Sequence, residues 1–290
     1  MNSKLKPQKA LGQNFLIDKN IPDKIVKLSG IDKSCVVLEI GPGLGALTVP
    51  LAKAAKHVTT VELDKFLFSE LKEILTAYQN VTLLQGDILK LDVSKLIKET
   101  LYADGQHADH LHADHLHADH LHAETLHVCA NLPYNITTPV ITKLIETGKF
   151  DFITVMIQKE VAQRICAKPG TAEYGAFTVF ANYHTTPQIL FDVPPECFNP
   201  RPKVTSTVVK MALCKERLLE PEDEKLFFRV VRAAFGQRRK TLVNALHAVF
   251  ESTHSKDDIT KVITNCGFDA KIRGEKLDIE EFIKLSNDMI

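Results

Sequence analysis

Residues 35–46 read CVVLEIGPGLGA. The run Cys35–Ile40 is apolar enough to predict a strand buried on both faces, and the glycines that follow cannot extend it. A turn at Gly41-Pro42-Gly43 leads into a helix expected from about Ala46 to Ala55. Strand, glycine turn and helix in that order let the main chain approach a ligand closely and aim a helix N-terminus at it. Taken alone the motif is ambiguous, because Gly41, Gly43 and Ala46 also fit the dinucleotide fingerprint G-x-G-x-x-G/A. Either kind of ligand calls for an acid about 20 residues on, and Glu62 stands 21 positions after Gly41. A carboxylate there can accept both hydrogens of a ribose diol.

Outward from this unit the alternation continues. His57–Glu62 predicts a second strand, Lys65–Gln79 a second helix, and Val81–Gln85 a third strand ended by Gly86-Asp87. Leu126–Ala130 predicts a fourth strand, closed by Asn131-Leu132-Pro133-Tyr134. Pro139 suits the start of the next helix and Gly148 its end. Phe150–Ile157 gives a fifth strand, and Ile189–Val193 with Val204–Met211 a strand pair joined by a proline-rich turn. From Glu222 onward the pattern is helical only. The expectation is an α/β domain over residues 1–214 and a small all-helical domain over 215–290.

Composition sets the class. Of 290 residues, 44% are hydrophobic and 25% charged, which excludes disorder, collagen-like repeats and a disulfide-stapled miniprotein. Lys and Arg number 36 and so do Asp and Glu, so only the distribution of charge is informative. Residues 1–17 carry Lys4, Lys6 and Lys9 without an acid, and residues 225–245 carry Lys225, Arg229, Arg232, Arg238, Arg239 and Lys240 without one. Glu216, Glu220, Glu222, Asp223 and Glu224 hold a compensating cluster. The six cysteines (Cys35, Cys129, Cys166, Cys197, Cys214 and Cys266) form no C-x-x-C pair and read as buried thiols of a reducing compartment, with no metal site. No signal peptide or membrane span is expected, which points to the cytoplasm.

Two further features separate the possible cofactors. Asp87 ends the third strand where an adenine amino group can donate to it, and Asn131–Tyr134 ends the fourth at the same carboxyl edge of the sheet. A dinucleotide enzyme has no use for N-L-P-Y there, whereas amino-group methyltransferases do. Together with Leu11–Leu16 (LGQNFL), Val37–Gly45 (VLEIGPGLG), Phe198–Val204 (FNPRPKV) and Phe235–Leu242 (FGQRRKTL), these residues give the chain a close resemblance to the KsgA-type ribosomal RNA small-subunit adenine dimethyltransferases. The five motifs occur in order and span nearly the whole chain. The resemblance implies a Rossmann-like class I S-adenosylmethionine-dependent methyltransferase sheet with a C-terminal helical RNA-binding domain. It implies cofactor contacts at Asn14, Leu16, Gly41, Glu62, Asp87 and Asn131. It also implies dimethylation of N6 on two adjacent adenines near the 3′ end of small-subunit (16S) ribosomal RNA, on free RNA or an assembling subunit. Relatives that methylate large-subunit RNA usually have isoleucine in N-x-P-Y and lack FGQRRKTL, so Leu132 and residues 235–242 favour the small-subunit branch. Alternatives are a catalytically silent ribosome-assembly or RNA-binding factor on the same fold, a large-subunit ribosomal RNA adenine dimethyltransferase of the macrolide-resistance type, and an NAD-dependent dehydrogenase.

The residue types suit the chemistry. The adenine N6 is a poor nucleophile because its lone pair is delocalised into the ring. The Asn131 side-chain oxygen and the Leu132 carbonyl can accept its two hydrogens and point the lone pair at a methyl donor, which is positioning and electrostatics without a strong base. Pro133 stiffens the loop, and Tyr134 offers a face on which an extruded base can stack. Phe198 is either a second such face or a core phenylalanine beside a proline turn. Arg229, Arg232, Arg238, Arg239 and Lys240 read as a phosphate footprint in preference to a solvated helix face, extended by Arg201 and Lys203.

One segment departs from the rest. From Tyr102 the chain runs YADGQ, three copies of HADHL and HAETL, and eight of the twelve histidines fall within 107–127. A period of five matches neither helix nor strand. Removing the three perfect copies shortens the Asp87–Asn131 separation from 44 to 29, close to the family's spacing. Residues 102–126 therefore read as an insertion in a tolerant surface loop, with adventitious metal binding favoured over a physiological role. A monomer without membrane contact is expected.

Overall fold

The computed structural model describes residues 12–101, 124–214 and 219–290. The basic cluster at Lys4, Lys6 and Lys9, Leu11 of the first motif, Glu216, and residues 102–123 of the repeat lie outside the described residues. The chain forms two compact units, one of residues 1–162 and 188–213 and the other of 163–187 and 214–290.

The first unit is built on a seven-stranded sheet. Its strands are β2 (Cys35–Ile40), β3 (His57–Glu62), β4 (Val81–Gln85), β5 (Thr125–Asn131), β6 (Phe152–Gln158), β7 (Thr185–Val193) and β9 (Ser206–Leu213), in the spatial order β4-β3-β2-β5-β6-β9-β7. Strands β4 to β6 of that order pair in parallel, and β9 runs antiparallel to β6. All six residues of β2 are buried, as a central parallel strand covered on both faces requires. Helices α1 (Asn20–Ser29), α2 (Thr48–Ala54), α3 (Lys65–Leu75), α4 (Val93–Leu101), α5 (Thr137–Glu146) and α6 (Lys159–Ile165) belong to the connections. Residues Ile25, Val37, Leu51, Val58, Cys129, Met156 and Val208 pack in one core cluster of this unit.

β2, β3 and β4 have the bounds expected from their apolar runs. α2 begins at Thr48, two residues late, because Gly43 and Gly45 both take positive φ and Gly45 N–H closes a turn on the Pro42 carbonyl at 2.9 Å. α3 stops at Leu75, short of Gln79, where the Thr76 hydroxyl turns back onto the Glu73 carbonyl at 2.8 Å. A second, two-residue ladder pairs β1 (Phe15–Leu16) with β8 (Phe198–Asn199), and the Ile17 N–H extends it to the Cys197 carbonyl at 2.8 Å.

The second unit is helical: α7 (Ala176–His184), α8 (Glu224–Gly236), α9 (Leu242–Phe250), α10 (Lys256–Asn265) and α11 (Ile279–Asn287). Side chains cap three of them, with Asp223 before α8, Ser255 before α10 and Asp278 before α11. Phe227, Leu246, Phe250, Ile259 and Phe282 make its core. Tyr174, Val179 and Tyr183 join that same core, so residues 163–187 belong to this unit and not to a domain running unbroken to 214. The apolar pattern of α7 gives no sign of which core it serves. No helix among the described residues is long and apolar enough to cross a membrane.

Candidate active site

In the sheet, β2, β3 and β4 step one way and β5 and β6 the other, so the strand order reverses between β2 and β5. Ligands of open α/β sheets bind outside the carboxyl ends of the strands at such a reversal. The two ends here are Gly41-Pro42-Gly43 and Asn131-Leu132-Pro133-Tyr134, and both line one cavity. Gly41 sits at φ 68°, a left-handed conformation that favours glycine, while a Cβ there would make ordinary contact with Pro133 Cδ at 3.8 Å, so the turn and not the spacing of the two loops calls for glycine.

Around the cavity the acceptors fall at successive strand ends. Glu62 closes β3, is 5% exposed, and takes N–H groups from Gly43 at 3.2 Å and Asp64 at 2.8 Å. Burial pushes its carboxyl above the usual carboxylate range. Asp64 caps α3 through Phe66 N–H at 2.9 Å and also accepts from Gln13 Nε2 at 3.0 Å, which ties the first motif to the β3 end. Half-buried Asp87 follows β4 and accepts the Leu89 N–H at 3.0 Å. Asn14 and Leu16 lie on and beside β1, and Asn131 Nδ2 donates to the Asn14 carbonyl at 3.5 Å. Each residue expected to hold a cofactor therefore lies on the wall of this one cavity.

The Asn131–Tyr134 loop is held by its own hydrogen bonds. Leu132 N–H donates to the Met156 carbonyl at 3.1 Å, and the Pro133 carbonyl accepts from Ile136 N–H at 3.2 Å and Thr137 Oγ1 at 3.1 Å. Leu132 as a whole residue is 1% exposed and lies on the cavity wall. Among the described residues no donor reaches Asn131 Oδ1 or the Leu132 carbonyl, which leaves two acceptors on adjacent residues. The Tyr134 hydroxyl meets Ser206 Oγ at 2.8 Å, and burial pushes its pKa up.

Phe198 is placed differently from one of its expected roles. It is 3% exposed and packs in the core cluster with Leu16 and Val193, while its main chain pairs with Leu16. It is absent from the cavity wall, so Tyr134 is the aromatic face there besides Phe15. Glu39 was not singled out by the sequence, although an acid inside VVLEI is a signal. It is 1% exposed, lines the cavity, and keeps Oε2 without a hydrogen-bond partner; burial pushes its carboxyl up to about 7.

The basic residues divide. Arg229 lays its guanidinium 4.4 Å over the Phe250 ring and donates to the Val249 carbonyl at 3.2 Å, a packing role within the helical unit. Arg238 reaches Glu275 at 3.4 Å, and Arg201 pairs with Glu196. Arg232, Arg239, Lys240 and Lys203 are exposed and have no ion pair among the described residues.

Glycine turn, ribose-type acid and paired acceptors at the reversal of this sheet define a class I S-adenosylmethionine-dependent methyltransferase. Solved structures agree: a dimethyladenosine transferase from Plasmodium falciparum superposes with TM-score 0.71 at 27% identity, covering 93% of this chain and 95% of that one. The 23S rRNA methyltransferase ErmE shares the fold with TM-score 0.66 at 22% identity, covering 95% and 99%. The family model for ribosomal RNA adenine dimethylase matches residues 4–289, and the chain belongs to that family. Among curated relatives, ribosomal RNA small subunit methyltransferase A of Caldanaerobacter subterraneus is 42% identical over 283 residues, 98% of this chain and 97% of its own. The protein of the same name from Clostridium acetobutylicum is 40% identical over 282 residues, 97% and 93%.

Proposed function

We propose that this protein is an S-adenosylmethionine-dependent dimethyltransferase of N6 on two adjacent adenines near the 3′ end of small-subunit ribosomal RNA. It works as a monomer in the cytoplasm during assembly of the small subunit. The observation that carries the reading is the pair of unengaged acceptors, Asn131 Oδ1 and the Leu132 carbonyl, on a loop stiffened by Pro133 and flanked by Tyr134. The cofactor's needs are matched by this chain: Gly41 gives close main-chain approach, Glu62 receives the ribose hydroxyls, Asp87 the adenine amino group, and Asn14, Leu16 and Asn131 complete the wall. The buried, unpartnered Glu39 Oε2 adds an acceptor on that wall. S-adenosylmethionine, when bound, supplies an electrophilic methyl group.

The protein's own residues then hold the nucleophile. Two hydrogen bonds, from N6 to Asn131 Oδ1 and to the Leu132 carbonyl, draw the amine towards tetrahedral geometry and turn its lone pair into the cavity. Tyr134 supplies the stacking surface that offsets unstacking of the base, ~1–3 kcal/mol. After one methylation N6 keeps one hydrogen for one acceptor, so the same loop serves the second transfer. Arg232, Arg239, Lys240 and Lys203 take phosphates. Mass spectrometry of small-subunit RNA incubated with the protein and isotope-labelled S-adenosylmethionine tests the reading. Two labelled dimethyladenines side by side are expected, and RNA without label overturns it.

A further inference from the structure

The motif FNPRPKV, residues 198–204, is only partly absorbed by the site, since Phe198 lies in the core and Arg201 pairs with Glu196. What the motif leads into is the first residue of β9, Ser206, which is fully buried and opposite Gln158 in the β6 ladder. Its neighbours fix it from both sides. The Lys159 N–H donates to the Thr205 carbonyl at 3.0 Å, and the buried Thr207 donates through Oγ1 to Asp192 at 2.6 Å. Asp192 is in turn held by Lys159 Nζ at 2.6 Å. Ser206 Oγ is thus placed on a strand with little freedom, where it meets the Tyr134 hydroxyl at 2.8 Å.

We propose that Ser206 is a positioning residue for methyl transfer: its hydroxyl holds the tip of Tyr134, and thereby fixes the direction in which the ring that stacks on the target adenine extends. A tyrosine ring pivots about two side-chain torsions, and the loop's main-chain bonds fix only its root. Anchoring the tip restrains the first of these torsions before the base arrives, so the ring stays at the place where a base can stack on it. The inference rests on the proposed role of Tyr134. It gives the residues between Phe198 and Ser206 a purpose, namely delivering one buried hydroxyl to the edge of the cavity.

The test is a double-mutant cycle in the full chain. Ser206→Ala, Tyr134→Phe and the pair together are assayed with small-subunit ribosomal RNA and labelled S-adenosylmethionine, with Tyr134→Ala alongside. One neutral hydrogen bond is being removed, so kcat should fall about three- to tenfold in each single variant, and no further in the pair. The Kd for S-adenosylhomocysteine, measured by calorimetry well below the melting temperature, should stay within twofold of the unaltered protein for all four. If Tyr134→Ala is inactive while Ser206→Ala keeps full kcat, the ring matters and its anchor does not, which overturns the inference alone. Losses that multiply in the pair overturn it too, because the two hydroxyls would then act independently. Full activity in Tyr134→Ala overturns the role given to the ring and the inference with it.

Discussion

Replacing Glu39 by glutamine should make the protein more stable, by an amount that grows with pH. The carboxyl sits inside β2, 1% exposed, and burial raises it from 4.5 to about 7. Because the folded value lies above the unfolded one, the folded state holds the proton more tightly. Below pH 4.5 both states are protonated and nothing is lost; between 4.5 and about 7 stability falls as pH rises; above that the full penalty applies. A shift of that size corresponds to about 3 kcal/mol. His127 works in the opposite sense: burial lowers it from 6.5 to about 4, so its neutral form stabilises the fold above pH 6.5 and that contribution is lost as pH falls through 4. Measuring the variant against the unaltered protein at each pH cancels this second effect. Between pH 5 and pH 8 the difference in unfolding free energy should widen by about 2–3 kcal/mol, or roughly 5–10 °C in melting temperature for a chain of this size. Urea unfolding at several pH values, followed by circular dichroism, reads it directly. A difference that stays constant across this range would show that Glu39 is not the buried acid described.

Three further outcomes are expected. Glu62→Ala should raise the Kd for S-adenosylhomocysteine at least tenfold by calorimetry while small-subunit RNA still binds, since the acid lines the cavity and holds the N–H of Gly43 on the same wall; equal loss of both ligands would contradict this. Charge reversal of Arg239 and Lys240 should flatten the dependence of log Kd for RNA on log salt by about 0.7 per lost phosphate contact, whereas Arg229→Lys should leave the slope unchanged. Excising residues 107–121 should leave folding and methyl transfer as they are, because the entropy of closing a connection grows by only ~0.6 kcal/mol per doubling of its length; an inactive excised enzyme in a chelated methylation assay would make the repeat a working part.

The sheet was legible because buried parallel strands are short apolar runs bounded by turns, as at Cys35–Ile40 and Val81–Gln85. α1 and α4 were harder to read: Asn20–Ser29 mixes Lys24 and Lys27 among its apolar positions and carries Pro22 in its first turn. β7 begins at Thr185, four residues before the apolar run Ile189–Val193; Thr185–Gln188 is polar and holds Pro187, so it reads as a turn in the sequence alone. At the site, Glu62 was found by its spacing from Gly41, and Asp87 and Asn131 by their place just past β4 and at the end of β5, with the resemblance supplying their roles. Ser206 was not, since its partner is set by the register of β9 against β6, which no local pattern encodes. Phe198 shows the converse. A phenylalanine next to Asn-Pro says nothing of which way it points, and here the ladder with Leu16 turns it into the core.

The interleaving of the two units has a practical corollary for anyone cutting this molecule apart. The backbone changes unit three times, after residues 162, 187 and 213. A stop codon at 214 would remove Phe227, Phe250 and Phe282 yet keep Tyr174, Val179 and Tyr183, which share a core with them. The leftover stretch would present apolar and aromatic surface to water, and such a fragment should aggregate. A portable catalytic module needs an internal deletion as well, with a linker carrying Ala162 directly to Gln188.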